Sequence, residues 1–135
     1  MFEHTTKIRV RYGETDQMGY MYYGNYAEFF EVARVEMLRS VGMTYAGMEA
    51  IGIMMPVAEM TCKYLKPARY DEEISIKVII DKMPGVKIHF RYELYNEQEE
   101  LIHLAETLLV FVKMKTMRPC LPPQEFIDKM MPFFQ

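Results

Sequence analysis

The feature that most limits what this chain can fold into is a pair of segments in which apolar and polar residues alternate around a short turn. Residues 74–80 place Ile or Val at every second position, and residues 86–94 continue the pattern with Val, Ile, Phe, Tyr and Leu. Residues 81–85, Asp-Lys-Met-Pro-Gly, supply the turn between them. Because a period of two puts one class of side chain on one face of a strand, this stretch predicts an antiparallel hairpin with one buried face.

Three further segments have the composition of strands. Residues 6–12 alternate in the same way, and residues 57–65 form an extended segment that ends before Pro67. Residues 101–114 predict a long strand whose centre, residues 108–112, is apolar at every position. A strand that is apolar on both sides is usually covered on both, so we expect this centre to be buried on both faces.

One long helix is predicted between the first strand and the others. Residues 25–41 contain neither Gly nor Pro, and Gly42 supplies the usual C-terminal stop. Asn25 is the expected N-cap, with Glu28 three residues later as in a capping box. At about 100° per residue, one face of this helix is apolar. That face consists of Tyr26, Phe29, Phe30, Ala33, Met37 and Val41. The tail, residues 122–130, predicts a short helix.

The order of these elements predicts an α+β fold, in which one long helix packs against an antiparallel sheet. With 135 residues, of which 50% are hydrophobic, the chain is long enough to bury a core without disulfides or metals. No repeat, low-complexity tract or linker interrupts it. We therefore expect a single domain over residues 1–135.

Composition argues against several classes of function. A net charge of −3, with both signs interleaved along the chain, argues against a nucleic-acid-binding protein. Cys62 and Cys120 lie far apart without metal-ligand spacing, so neither a disulfide framework nor a zinc site is indicated. The N-terminus has no signal-peptide pattern, and the longest apolar run, residues 108–112, is far too short to span a membrane. These observations predict a soluble, cytoplasmic protein.

The segment between the first strand and the helix, residues 13–26, carries the residues best suited to catalysis. It holds two carboxylates, Glu14 and Asp16, and several tyrosines. A helix N-terminus presents free backbone N–H groups that stabilise a developing oxyanion, and a nearby carboxylate can act as a general base or a nucleophile. The alternative is that Asp16 only forms a turn and that Gly19 only allows a tight bend.

Four runs of this sequence resemble one known family. They are Arg11-Tyr12-Gly13-Glu14-Thr15-Asp16-Gln17-Met18-Gly19, Tyr22-Tyr23-Gly24-Asn25-Tyr26, Phe29-Phe30-Glu31-Val32-Ala33-Arg34-Val35-Glu36 and Tyr64-Leu65-Lys66-Pro67-Ala68-Arg69-Tyr70-Asp71-Glu72. Together they look like the signature of the hotdog-fold acyl-CoA thioesterases of the 4-hydroxybenzoyl-CoA thioesterase type, including the Tol-Pal-associated branch. The resemblance covers nearly the whole chain and the order of its elements.

The resemblance implies a hotdog fold, in which a long central helix packs against a curved, five-stranded antiparallel sheet. It also implies hydrolysis of an acyl thioester, aliphatic or aromatic, to the free acid and the thiol, with no metal or cofactor. The implied carrier is CoA or, alternatively, an acyl-carrier protein. A non-catalytic acyl-thioester-binding or scaffold protein of the same fold is the competing interpretation, and the retained Asp16 argues against it.

Position by position, the resemblance assigns the catalytic aspartate to Asp16, as the nucleophile or as the base for the attacking water. It implies that the backbone N–H of Tyr23 polarises the thioester carbonyl. Gly19, Tyr22 and Tyr26 are expected to bind the substrate, although an aromatic helix face is also common in a core. Many members of the Tol-Pal-associated branch have a histidine at the position of Tyr23, so a histidine-assisted mechanism is not available here, whereas the 4-hydroxybenzoyl branch also has tyrosine.

Three charged residues are weaker site candidates. Glu31 precedes Arg34 by about one helical turn, and the two are expected either to form an ion pair or to support the active site. Arg69 and Lys87 lie near strand ends and are candidates to hold the nucleotide part of the carrier, since no Walker or Rossmann glycine pattern is present. The alternative for both is an ordinary solvated charge.

The three histidines, His4, His89 and His103, all lie outside residues 13–26 and are interpreted as surface or core residues. Related hotdog dehydratases need a histidine close to the central helix, and residues 14–41 contain none. Dehydration of 3-hydroxyacyl thioesters is therefore disfavoured.

One helix and a small sheet leave little chain to wall a deep pocket for an acyl-pantetheine substrate. The resemblance implies that hotdog subunits pair sheet edge to sheet edge and form their sites between chains. The apolar strand at residues 108–112 is compatible with burial of this kind, so we expect a homodimer or a homotetramer.

Overall fold

An antiparallel sheet of five strands forms one layer of the structure. The computed structural model describes all 135 residues. The strands of the sheet are β1 (Phe2–Arg9), β3 (Val57–Tyr64), β4 (Glu73–Ile80), β5 (Lys87–Tyr95) and β6 (Leu101–Val110). They lie in the order β1-β4-β5-β6-β3. Two short strands, β2 (Ile53–Met54) and β7 (Val112–Lys113), form a separate antiparallel pair.

The long helix α1 (Tyr26–Ser40) forms the second layer and packs against β1 and β4. Two shorter helices follow, α2 (Tyr45–Ala50) and α3 (Gln124–Met130). Three-residue 3-10 turns occur at Tyr12–Glu14 and Tyr23–Asn25, and a four-residue one closes the chain at Met131–Phe134. The sequence predicted α1 and α3, whereas α2 was not anticipated.

The apolar face of α1 is buried as its pattern predicts. Five of its six predicted positions are buried in the main hydrophobic cluster, and Val41 is partly buried against it. Gly42 ends the helix with a φ of 81°, a conformation that glycine adopts without steric cost. Asn25 occupies the predicted N-cap position, but its side chain does not cap the helix, because the turn at Tyr23–Asn25 runs straight into α1 and leaves Asn25 in a helical conformation. The Asn25 side chain instead donates to the Glu14 carbonyl at 2.9 Å.

The predicted hairpin is confirmed as β4 and β5. Ile76 lies opposite Leu94 and Val78 lies opposite Tyr92, and all four side chains are buried. These cross-strand pairs face α1 together with the inner side chains of β6. The sheet and the helix therefore share one apolar interior.

Two strand boundaries differ from the predicted ones. The first strand runs over Phe2–Arg9 rather than residues 6–12, because the chain bends into the 3-10 turn at Tyr12–Glu14. The predicted strand over residues 101–114 is two strands, since β6 ends at Val110 and β7 leaves the sheet to pair with β2. Phe111 stands between them and its N–H donates to the carbonyl of Val86.

The exposed edge of the sheet is β3 rather than the apolar strand. β6 pairs with β5 on one side and with β3 on the other, so residues 108–112 are not at an edge and that expectation is wrong. Leu108 and Val110 are only half-buried, so the second face of this segment is covered less fully than predicted. In β3, by contrast, every residue except Cys62 is exposed.

The α+β class, with one long helix on a five-stranded antiparallel sheet, is confirmed. The helices of the structure lack the combination of length and apolar composition that crossing a lipid bilayer requires.

Candidate active site

The loop at Asp16–Tyr20 is a tight turn built around the aspartate. Asp16 Oδ1 accepts hydrogen bonds from the backbone N–H groups of Met18 at 2.9 Å and Tyr20 at 3.3 Å. The turn is closed by a backbone bond from the Asp16 N–H to the Tyr20 carbonyl at 2.8 Å, and Gly19 supplies a φ of 79°. Asp16 thus has the turn-forming role that was one of its two interpretations. Its Oδ2 accepts no hydrogen bond from the protein and is free to act on a ligand.

Glu14 fixes the path of the chain from this turn to the helix. Its carboxylate is buried and accepts hydrogen bonds from the backbone N–H of Arg11 at 2.8 Å and from the guanidinium of the same residue at 3.1 Å. Its carbonyl accepts the N–H of Tyr22 at 2.8 Å and the side chain of Asn25 at 2.9 Å. These bonds hold the beginning of the helix beside the aspartate turn.

Tyr23 begins the 3-10 turn that leads into α1. The first N–H groups of a helix have no acceptor inside the helix, and no loop carbonyl accepts the N–H of Tyr23. This amide is therefore a free donor at the positive end of the dipole of α1. It has the properties that the resemblance requires of an oxyanion donor.

Asp16 and Tyr23 line the same cavity, which has a volume of about 310 Å³. Seven of its ten lining residues are hydrophobic. The lining residues are Asp16, Met18, Tyr20, Met21, Tyr23, Tyr26, Tyr64, Leu65, Lys66 and Pro67. Of the residues predicted to form the site, the structure thus brings together Asp16, Tyr23 and Tyr26.

The far wall of this cavity comes from the end of β3, which sequence reasoning did not assign to the site. Tyr64 is 51% exposed, and its hydroxyl donates to the carbonyl of Tyr23 at 3.2 Å. Burial of part of the ring raises the pKa of Tyr64 to about 12, so the phenol remains a donor at neutral pH. The signal that was available is the run at residues 64–72, which belongs to the family resemblance but was interpreted only as a link between strands.

His103 lies directly behind that wall. It pairs with Tyr64 across β3 and β6, and its ring centroid is 4.7 Å from that of Tyr64 and 4.3 Å from that of Tyr26. It is 0% exposed, neither ring nitrogen has a hydrogen-bond partner, and burial lowers its pKa to about 4. Its interpretation as a core residue is confirmed. Its contact with two residues of the cavity was missed, because the register that brings residues 64 and 103 together is not visible in the sequence.

Dehydration is therefore no longer disfavoured by the lack of a histidine near the central helix. A histidine does lie close to the central helix, since His103 packs on Tyr26 and on Phe30 from the sheet. It comes from β6 rather than from residues 14–41. The other two histidines are not enclosed in this way, and His89 is exposed on the opposite side of its strand.

Three other predicted residues lie at the rim of the cavity without lining it. Gly19 shapes the aspartate turn. Tyr22 is 45% exposed and its ring packs on that of Tyr23 at 4.6 Å. Arg69 is exposed, forms a strand-like bridge with Tyr20, and places its guanidinium 4.9 Å from the centre of the Tyr20 ring.

Glu31 and Lys87 are not brought to this cavity. Lys87 lines a different cavity beside the turn between β4 and β5. Glu31 is exposed on α1, and the predicted ion pair with Arg34 is wrong. Arg34 points into the interior, where its guanidinium donates to the hydroxyls of Tyr45 at 3.3 Å and Tyr92 at 2.9 Å.

The chain is similar to known proteins in both sequence and structure. Residues 10–130 match the sequence model of a family described as the thioesterase-like superfamily. A relative from Escherichia coli, named acyl-CoA thioester hydrolase YbgC, is 33% identical over 120 residues, which cover 89% of this chain and 90% of the relative.

Two solved structures from Staphylococcus aureus superpose closely on this one. A DHNA-CoA thioesterase gives a TM-score of 0.90 at 36% identity, over 98% of this chain and 89% of the other. A second protein, solved in complex with CoA, gives a TM-score of 0.89 at 17% identity, over 98% of this chain and 84% of the other. At that lower identity the second similarity shows the shared fold alone.

Proposed function

Since the chain belongs to the thioesterase-like superfamily, we propose that it hydrolyses acyl-CoA to the free acid and CoA, with Asp16 as the catalytic carboxylate. The predictions of the hotdog-fold thioesterase family and of a thioester hydrolase are confirmed by the family match and the named relatives. The observation that carries the proposed site is that Asp16 and Tyr23 line one cavity and that no backbone carbonyl accepts the N–H of Tyr23.

In this proposal the free Oδ2 of Asp16 is the reacting atom, because Oδ1 is held by the turn. As a nucleophile, Oδ2 attacks the thioester carbonyl carbon, the C–S bond breaks, CoA leaves as the thiolate, and water hydrolyses the resulting anhydride. As a base, Oδ2 takes a proton from a water whose oxygen attacks the same carbon. A single turnover in heavy-oxygen water tests the first route, since label enters Asp16 only if an anhydride forms and water attacks its Asp16 carbonyl carbon.

The Tyr23 amide supports either route by the same physical effect. Negative charge develops on the carbonyl oxygen as the tetrahedral intermediate forms. A donor fixed at a helix start stabilises that charge without having to reorient, and the dipole of α1 adds to it. In both routes the Tyr23 amide stabilises the carbonyl oxygen. Asp16 either attacks the carbonyl carbon itself or activates the water that attacks it.

The walls of the cavity favour a planar acyl group. Four of its lining residues, Tyr20, Tyr23, Tyr26 and Tyr64, are aromatic, and aromatic rings pack well on one another in stacked or edge contacts. The DHNA-CoA thioesterase is 36% identical to this chain. We therefore propose an aromatic acyl group, carried by CoA, as the preferred substrate class.

The test of Asp16 uses a substitution that preserves the turn. Asp16→Asn keeps an oxygen to accept the two backbone hydrogen bonds but replaces the reacting oxygen by an amide, so thiol release should fall about 10³-fold. Glu31→Gln is the matched control, because it removes an exposed carboxylate that does not line the cavity. Equal turnover of a panel of aliphatic and aromatic acyl-CoAs by the Asp16 variant and the unmodified protein would remove Asp16 from its role.

The backbone amide at position 23 is testable because the local conformation accepts proline. Tyr22 has φ −58° and ψ 135°, which suits a residue before proline, and the first position of a helix tolerates proline well. Tyr23→Pro should lower kcat about 10²-fold relative to Tyr23→Ala, since both lose the ring and only proline loses the N–H. Tyr23→Phe should change kcat little, and equal kcat for the proline and alanine variants would contradict the oxyanion role.

The competing function is a binder of acyl thioesters without hydrolysis. It makes the opposite prediction in the same assay, namely binding of acyl-CoA with no release of thiol from any substrate of the panel. The free Oδ2 beside a free backbone donor favours the enzyme.

We propose that the working unit is a homodimer or a homotetramer in which β3 is covered by a second copy. Val57 and Met60 on this strand are 48% and 47% exposed, and an uncovered edge strand is an open template for pairing. The strand ends at Tyr64, which lines the cavity, so a second copy on β3 would also approach the site. Sedimentation that finds an active monomer would refute this.

We also propose that the protein works in the cytoplasm. Cys62 and Cys120 are both free thiols, as is usual for proteins of a reducing compartment. Fractionation of the source cells with an antibody to the chain tests the assignment.

A further inference from the structure

His103 is a buried polar residue that no protein group satisfies. Both of its ring nitrogens are buried without a hydrogen-bond partner, and its side chain is 0% exposed. Leaving such a group unpaired destabilises the fold, and most buried polar groups in proteins are hydrogen-bonded. An apolar side chain of similar size would fill the same place without this loss of stability, so packing does not account for a histidine here.

The surroundings of the ring are aromatic on the sides that face α1 and β3. Tyr26 stacks on it at 4.3 Å with an angle of 19°, Tyr64 meets it edge-on at 4.7 Å, and Phe30 lies at 5.6 Å. Two of these three residues, Tyr26 and Tyr64, also line the cavity that holds Asp16. The imidazole is therefore separated from that cavity by a single layer of side chains.

Tyr64 is the part of this layer that is able to move. It is the last residue of an edge strand, it is half-exposed, and one hydrogen bond of 3.2 Å, to the Tyr23 carbonyl, holds its hydroxyl. Tyr26, in contrast, is 3% exposed at the start of α1. Rotation of the Tyr64 side chain would extend the cavity inward to the imidazole, at the cost of that bond and of the edge contacts of its ring with Tyr26 and His103.

We propose that His103 is a specificity-determining residue, which hydrogen-bonds a hydroxyl group on the acyl part of the substrate when Tyr64 moves aside. The proposal rests on the function proposed above and adds to it the chemistry at the inner end of the acyl pocket. It assigns no step of the hydrolysis to His103, which acts on the part of the substrate that does not react.

The protonation state of the His103 imidazole decides which chemical group it can bind. Because burial lowers the pKa of His103 to about 4, the imidazole is neutral at pH 7 and offers one N–H donor and one acceptor nitrogen. A hydroxyl also donates and accepts, so it can pair with either nitrogen. A carboxylate would have to give up its hydration inside an aromatic enclosure to gain a single hydrogen bond, which excludes it.

The test measures binding so that it does not depend on catalysis. The probes are CoA thioethers that carry a phenacyl group or its 2-, 3- or 4-hydroxy derivative, which resemble aryl thioesters but cannot be hydrolysed. Calorimetry gives the ratio of Kd for the plain probe to Kd for each hydroxylated probe. We expect at least one isomer to bind about tenfold more tightly to the unmodified protein, which is the effect of one added buried hydrogen bond.

Three variants separate a hydrogen bond from an effect on packing. His103→Leu should bring that ratio to about one, and His103→Asn, which keeps a donor and an acceptor, should restore part of it. Phe30→Leu is the matched control, because it alters packing on the same ring without changing its polarity, and it should leave the ratio unchanged. An unchanged ratio in His103→Leu, no preference for any hydroxylated probe, or no binding of these probes would each overturn the proposal.

The hydrolysis assay distinguishes failure of this proposal from failure of the proposed function. The unmodified protein should release thiol from benzoyl-CoA, whose acyl group carries no hydroxyl, whether or not His103 sets the binding ratio. If the protein hydrolyses acyl-CoA but the ratio of Kd values does not depend on His103, only the proposed role of His103 in specificity is contradicted. If the ratio of Kd values depends on His103 but the protein hydrolyses no acyl-CoA, the proposed hydrolysis is contradicted and the proposed role of His103 in binding is supported.

Discussion

Arg34 and His103 are both buried between α1 and the sheet, and of these two only Arg34 is hydrogen-bonded. Arg34 is 7% exposed, and its guanidinium donates to the hydroxyls of Tyr45 and Tyr92, while the Tyr92 hydroxyl bonds that of Thr107 at 2.6 Å. His103 is 0% exposed and has no hydrogen bond at all. Thr107 and His103 lie on the same strand, four residues apart.

The difference in hydrogen bonding indicates different roles for Arg34 and His103. The Arg34 group joins α1, α2, β5 and β6 by bonds that are complete within the chain, so its role is to hold the elements together. The imidazole of His103 forms no hydrogen bond with any other element, yet it lies beside the cavity. A polar group that costs stability and sits next to a candidate site is best explained by a ligand that completes it.

The largest expected effect comes from removing the hydrogen bonds of Arg34 to Tyr45 and Tyr92. Arg34→Ala removes the donor for the buried phenol of Tyr92 and the half-buried phenol of Tyr45 and leaves a cavity, so the free energy of unfolding should fall by about 4 kcal/mol. Arg39→Ala is the matched control on the same helix, where an exposed arginine pairs with Glu36 and should contribute less than about 1 kcal/mol. Urea denaturation measures both, and equal losses would contradict the structural role assigned to Arg34.

The second largest expected effect is a loss of unfolding free energy at low pH, caused by protonation of His103. The pKa of His103 is about 4 in the folded protein against 6.5 for an ordinary histidine, so the unfolded chain binds the proton first. Stability should be unaffected above pH 6.5 and should fall as pH drops from 6.5 to 4, by about 3 kcal/mol in all. The phenols of Tyr26 and Tyr64 face the ring but stay neutral there, because burial raises the pKa of each.

His103→Leu isolates this contribution from those of other titrating groups. Unfolding free energies of the variant and the unmodified protein, measured in urea from pH 7.5 to 4, should diverge over that window with the variant the more stable. Parallel profiles would mean that the ring is solvated in the folded state.

The smallest effect compares two substitutions on one strand at pH 7. His103→Leu should raise the free energy of unfolding by about 1 kcal/mol, because it removes an unsatisfied polar group. Thr107→Val keeps the shape of the side chain but removes the bond to Tyr92, and should lower it by about 1 kcal/mol. Changes of the same sign would remove the contrast between the two groups.

Most of the fold could be predicted, because its elements are specified by local patterns. The alternation in residues 74–80 and 86–94 gave the hairpin of β4 and β5, and the apolar face of residues 25–41 gave α1. The errors occur where one contact overrides the pattern. Asn25 bonds the Glu14 carbonyl rather than capping the helix, and the strand predicted over residues 101–114 is split at Phe111.

The candidate site could be predicted in part. Asp16, Tyr23 and Tyr26 lie within one segment of the chain, so the motif and the free N–H groups of a helix start were enough to single them out. Tyr64 and His103 were missed, since they reach the site from β3 and β6 through pairings between distant residues. Lys87 was placed by its position near a strand end, and it lines another cavity.

Local patterns in the chain were enough to specify the class of fold, the helix and its buried face, and the chemical character of the segment before the helix. These properties depend on neighbours in the chain, which periodicity and spacing describe. Only the tertiary structure decided that Arg34 binds two phenols rather than Glu31, and that His103 lies unpaired behind Tyr64. The physical reason is that both outcomes depend on strand register and helix placement, which set the partners of a buried polar group and which no local pattern records.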